Sequence, residues 1–251
     1  MSRIIWMNSL LPGIESLAAT ETAVLEDAVY KDRVENVRMY SRSNGEIAIP
    51  DQKSFRSMSR ASLFLSNVCM SAGEVLEPFL NESPFSVGIY CAVENGPIDG
   101  PSTAKILEQN APEKFAEFYR KFRNPKMYLK QLPNLVAAQM GISMHLQGPM
   151  NVYTHSRAGG LHALDQAESD LQNGTVKAAL VCSAHAFDDF LVVKRTRKFD
   201  SRCLTEGAAA LLLENDGNYT DWSRNIVTDS ANYFGISDPI INLIRGVNYV
   251  K

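Results

Sequence analysis

Residues 150–163 read MNVYTHSRAGGLHA. Met150 to His155 alternates and carries β-formers, so it is expected as a strand; the run from Arg157 to Asn173 repeats apolar residues at helical spacing. Leu161, Ala163, Leu164, Ala167 and Leu171 supply the buried stripe, and Asn173-Gly174 is a helix-closing pair. A strand that runs into a helix through small residues presents a side chain at the turn. The backbone N–H groups there favour negative charge, which suits a nucleophile or an anion.

Upstream, Leu132 to Met144 has helical spacing entered through Pro133, and Gly148-Pro149 forms a turn into the strand. Earlier still, Ser86 to Val93 is a β-rich apolar run that suits a buried strand, and Ser57 to Leu80 reads as one long helix. Downstream, Lys177 to Ser183 and Glu206 to Glu214 are further apolar strands. Ile4 to Leu10 is expected as a buried first strand ended by Pro12-Gly13. Residues 30–53 are read as surface loop with at most one short helix, and residues 94–130 as irregular apart from a helix over Glu113–Lys121. The order β, α, β, α, β, α, β, β argues for one layered α/β domain over residues 1–251.

Composition excludes several classes. Of 251 residues, 45% are hydrophobic and 21% charged, enough for a core without metal or disulfide staples. A net charge of -3 with scattered Lys and Arg gives no nucleic-acid footprint. Cys69, Cys91, Cys182 and Cys203 form no CxxC pair and are expected as buried free thiols, with no metal and no cofactor. No stretch approaches the ~20 apolar residues of a membrane span, and the N-terminus has no signal pattern, so a cytoplasmic protein is expected.

The stretch from Leu132 to Ala186, with Met58-Ser-Arg before it and Phe199-Asp200 and Glu206 to Glu214 after it, resembles the β-ketoacyl synthases of the thiolase superfamily. That family has a PN helix, a GP turn, an ASxLHAL elbow helix, a GGAEA strand and a GEGA…LVLE segment in the same order. The resemblance implies half of a thiolase fold: a mixed five-stranded sheet with helices on both faces. The family nucleophile is a Cys just before the elbow Ala-Ser, and Arg157 stands at that position here. A guanidinium stays protonated and cannot accept an acyl group. The family's catalytic histidines belong to a second half with an HGTGT motif, which this sequence does not contain.

The resemblance therefore implies a non-catalytic subunit similar to the chain-length factors, and more narrowly to the short ketosynthase-like subunits of bacterial aryl polyene clusters. Its partner would be a full-length ketosynthase, and acyl carrier protein would be met through that partner. Asn151, Val152, Tyr153, Thr154 and His155 would form the partner-facing edge; an internal strand is the alternative. Met127 and Tyr128 would border the partner's acyl pocket, with core packing as the alternative. Arg157 would fill the vacated site by ion pairing, be tolerated there, or bind an anion. Lys121, Arg123, Lys126 and Lys130 would meet the acidic carrier or form a solvated face. A rival reading makes Ser156 a nucleophile with His155 as base in an independent acyl transferase or hydrolase, although neighbours on a strand point to opposite faces. A third is an inactive homodimer that sequesters acyl carrier protein.

Overall fold

Val87–Val93 and Ala178–His185 are buried at every position, because strands covered on both faces need no polar alternation. A computed structural model of the chain describes residues 2–11, 20–40, 58–187, 189–216 and 221–249. The Pro12-Gly13 turn and residues 41–53 of the expected loop lie outside the described residues.

Nine strands are described: β1 Arg3–Leu10, β2 Thr20–Glu26, β3 Val34–Tyr40, β4 Val87–Val93, β5 Met150–Tyr153, β6 Ala178–His185, β7 Cys203–Leu204, β8 Gly207–Glu214 and β9 Asn232–Tyr233. Five form one sheet in the order β1-β8-β6-β4-β5. β4 runs parallel to both β5 and β6, while β8 is antiparallel to β6 and β1. The sheet is thus mixed, with β5 and β1 at its two edges.

Helices α1 (Arg60–Cys69), α2 (Gly73–Glu82) and α6 (Pro133–Met144) belong to one face. Phe64, Leu65, Val68 and Met140 pack there against Ile89, Cys182 and Leu212. α7 (Gly159–Gln172) and α9 (Asp238–Tyr249) cover the other, where Leu164, Leu171, Ile240 and Ile244 meet Tyr90, Val181 and Leu211. The C-terminal apolar run Ile240–Ile244 therefore packs within this chain.

The structure corrects several expectations. The single helix expected over Ser57–Leu80 is two, α1 and α2, joined by a 3-10 turn at Met70–Ala72, and Ser59 caps the first. β1 is mostly half-buried because it is an edge strand. Val34–Tyr40 is a strand paired with β2, and Thr205 bridges it at Arg38. Residues 94–130 hold α3 (Gly100–Glu108), α4 (Phe115–Phe122) and the start of α5 (Pro125–Gln131), each short; Asp99 caps α3 and Asn124 caps α5. The charged connection after β6 contains α8 (Phe190–Arg197), capped by Asp189. Three thiols are buried as expected, with Cys91 opposite Cys182 in register and Cys69 in the same core, but Cys203 is exposed.

Candidate site at the ends of the parallel strands

The C-terminal ends of β4, β5 and β6 open on one side of the sheet, where side chains from distant segments converge. β5 stops at Tyr153, so Thr154 and His155 belong to the elbow and not to the strand. The His155 carbonyl accepts the Gly159 N–H at 2.7 Å, and its Nδ1 accepts the Ala158 N–H at 3.1 Å. This ring nitrogen serves the start of α7, and the structure shows no bond from it to Ser156. The acyl-transferase pair is not assembled. His162, one turn into α7, packs edge-on against Tyr153 at 6.2 Å.

Two glycines let the elbow close. A Cβ at Gly159 would lie 2.7 Å from Ile236 Cδ1, and one at Gly160 would lie 3.2 Å from the Ile236 carbonyl oxygen. α7 thereby packs against the 3-10 turn Gly235–Ser237, leaving Arg157 exposed at its head. Arg157 makes no ion pair with any described residue. The expected ion-paired plug is corrected by this exposure: solvent hydrates the guanidinium, so burial does not demand a carboxylate.

Beside the elbow, Glu94 follows β4 and is buried, with Ser156 against its carboxylate. Arg195 of α8 lies 3.8 Å away, while Oε1 of Glu94 and Nε of Arg195 are both buried without a hydrogen-bond partner. Burial raises the Glu94 carboxyl above the ordinary range, although Arg195 and Ser156 oppose it. Tyr233 of β9 closes the side; burial and the carboxylates of Asp238, Asp200 and Glu94 push its phenol up to about 12, against the pull of Arg157.

His185 ends β6 and is fully enclosed. Thr196 Oγ1 lies 2.9 Å from the Val192 carbonyl and 3.2 Å from His185 Nε2, and the imidazole tautomer sets which of the two donates in the second contact. Burial, then the charge of Arg195, pulls the imidazole down to about 3. Gly235 lies against this ring with φ +55°, and a Cβ there would sit 2.6 Å from His185 atoms. Gly235→Ala is expected to lose about 1–3 kcal/mol from backbone strain and overlap; a urea midpoint equal to the parent's would refute the close approach.

The two titrations act oppositely. His185 resists its proton when folded, so stability falls by about 1.4 kcal/mol per pH unit as pH drops from 6.5 towards 3. The Glu94 contribution is present below the ordinary carboxyl range and is lost as pH rises above it. Urea unfolding across pH is expected to show a shallower acid limb in His185→Gln. Glu94→Gln should instead gain stability near neutrality, and parallel curves for all three proteins would sink both assignments.

Met127 and Tyr128 lie on α5, within the α3–α5 arm. Met127 is half-buried and Tyr128 is 64% exposed, so the latter is not core. The arm is fastened two residues past Glu94, where Gly96 donates to the Gln131 carbonyl at 3.1 Å. Asn151, Val152 and Tyr153 occupy the outer strand β5: Val152 packs towards one core and Tyr153 towards the other, with one backbone edge unpaired among the described residues. Among the described residues no His, Cys, Asp and Glu side chains group to hold a metal, and no helix is long and apolar enough to cross a membrane. The sequence reading missed Glu94, Arg195 and Tyr233 as site residues.

A five-stranded mixed sheet covered by helices on both faces, with an elbow at the mouth of its parallel strands, is part of a thiolase-type fold. Residues 49–188 match the β-ketoacyl synthase N-terminal domain, and the chain belongs to that family. Among solved structures it is similar to the ishigamide ketosynthase/chain length factor (15% identity, TM-score 0.60, 86% of this chain and 62% of that one). It is also similar to the ketosynthase ApeO in complex with its chain length factor ApeC from Xenorhabdus doucetiae (10% identity, TM-score 0.58, 86% and 58%). A third is the type II polyketide synthase assembly AntDE:AntF, an acyl-carrier protein in complex with its ketosynthase bound to the hexaketide (18%, 0.56, 72% and 53%). The chain thus spans between half and two thirds of the length of these structures. No curated protein sequence matches it.

Proposed function

We propose that the chain is a single-domain, non-catalytic, chain-length-factor-like subunit that pairs with a full-length ketosynthase during polyketide elongation on acyl carrier protein. The observation that carries this reading is Arg157, exposed at the elbow where the family resemblance places the nucleophilic Cys. A condensation through an acyl-enzyme needs a thiolate there. Cys69, Cys91 and Cys182 are sealed in the core and Cys203 is on β7, so none occupies the elbow.

Two further features support a partner. Among the described residues β5 has one backbone edge unpaired, a liability unless another chain covers it, and Asn151 to His155 would line that contact. Two of the similar solved structures are a ketosynthase/chain length factor and a ketosynthase with its chain length factor. Met127 and Tyr128 would then border the partner's acyl pocket, and the product class would be an aryl polyene made in the cytoplasm.

The test is the native mass of the chain expressed alone and together with a full-length ketosynthase. A stable one-to-one complex, dependent on both chains for elongation, is the expected result. A free monomer that ignores the ketosynthase would remove the proposed role. Acyl-thioester turnover by the chain alone, lost in Ser156→Ala, would transfer it to the hydrolase reading.

A further inference from the structure

The α3–α5 arm carries a hollow of about 320 Å³ lined by Asp99, Tyr119, Arg123, Met127, Tyr128 and Gln131, with Asn124 and Pro125 at its edge. Its walls are unusual for a bare surface. Tyr119 is 48% exposed and Tyr128 64% exposed, and the half-buried Met127 lines the hollow with them; Tyr119 also stacks on Phe115 at 5.9 Å. The Arg123 guanidinium sits 5.8 Å from the Tyr119 ring and has no carboxylate partner among the described residues. Asp99 is already engaged: its Oδ1 accepts the Ser102 N–H and its Oδ2 the Asn124 N–H. From Tyr119 to Gln131 the chain has five cations, Arg120, Lys121, Arg123, Lys126 and Lys130, and no carboxylate.

Aromatic and thioether walls favour a flat, polarisable body, and an unpaired guanidinium beside them favours a carboxylate in the same plane. We propose that this hollow is a binding site for a planar, conjugated carboxylate, held between Tyr119 and Tyr128 with its anionic end on Arg123. A saturated chain would lose the stacking, and a neutral amide would lose the charge-assisted hydrogen bond. The site deepens the pocket-border reading of Met127 and Tyr128 and rests on it for the conjugated body; the carboxylate is that of the free acid, since a chain held on acyl carrier protein is a neutral thioester.

The experiment is titration of the full chain, without any ketosynthase, by ligand-observed and protein-observed NMR. The probes are cinnamate, 3-phenylpropionate as its saturated counterpart, and cinnamamide as its neutral counterpart. Cinnamate is expected to saturate and to bind at least ~5-fold tighter than phenylpropionate. Arg123→Gln should weaken cinnamate ~10-fold and leave cinnamamide unchanged, while Tyr128→Ala should weaken both. Both residues are exposed, so neither change threatens the fold. Absence of saturable cinnamate binding, equal affinity for phenylpropionate, full displacement by inorganic phosphate at equal concentration, or indifference to both substitutions would each overturn the proposal. Since the chain is tested alone, such a failure is separate from a failure to pair.

Discussion

Glutamates at Ile142 and Met150 are expected to abolish co-purification with a full-length ketosynthase, lowering affinity at least ~100-fold, or about 2.7 kcal/mol. Met150 begins β5 and is 40% exposed, while Ile142 on α6 is 74% exposed. A Cβ on the neighbouring Gly141 would lie 3.0 Å from Met150 Cε, so these apolar groups border one surface. In the free chain both positions face water, and charge there should shift stability by no more than ~0.5 kcal/mol. In a complex formed across β5 the same charges would be desolvated without partners. Native mass and calorimetry on the double variant, with a thermal melt as control, make the check. Unaltered pairing would place the partner on another face of the molecule.

Arg60→Met should cost about 3–5 kcal/mol, the usual effect of leaving one member of a buried ion pair behind. Arg60 heads α1 and grips Glu206 as a fork, Nε to Oε1 and Nη2 to Oε2, both at 2.7 Å. Glu206 is fully buried just before β8, and its Oε1 also accepts the Phe187 N–H at 2.7 Å. One carboxylate thus ties helix α1 to the segments that leave β6 and enter β8. The methionine keeps the apolar contact with Phe64, over whose ring the guanidinium lies at 4.8 Å, so the loss reports the charge. A fall in the urea midpoint with unchanged slope is the expected signature. A loss below ~1 kcal/mol would mean that Glu206 finds another route to neutralisation.

The large buried strands were legible because a strand covered on both faces is apolar over most of its length, and β4, β6 and β8 depart from that only at Ser183, His185 and Glu214. α6 and α7 were legible from their spacing and from the Pro133 and Asn173-Gly174 punctuation. What escaped was short or ambiguous. β3, VENVRMY, carries three charged or amide residues in seven, and its pairing with β2 and its bridge to Thr205 make it a strand. α8, FLVVKRTR, has β-branched residues in its first turn and is decided by the Asp189 cap. At the site, the elbow and Arg157 could be found from local sequence. Glu94, Arg195 and Tyr233 could not, since only the strand order brings them together; the one available signal was a carboxylate set directly behind the apolar run Val87–Val93.

The distribution of thiols has a practical consequence. Cys69, Cys91 and Cys182 have no solvent exposure, whereas Cys203 is open. An alkylating reagent should therefore modify one sulfur within the mixing time, and the other three only as fast as the core lets solvent in. Counting adducts by mass against time gives the opening rate of the native protein without added denaturant or an engineered label. The chain carries a clock for its own unfolding, with the fast thiol as the built-in standard for reagent quality.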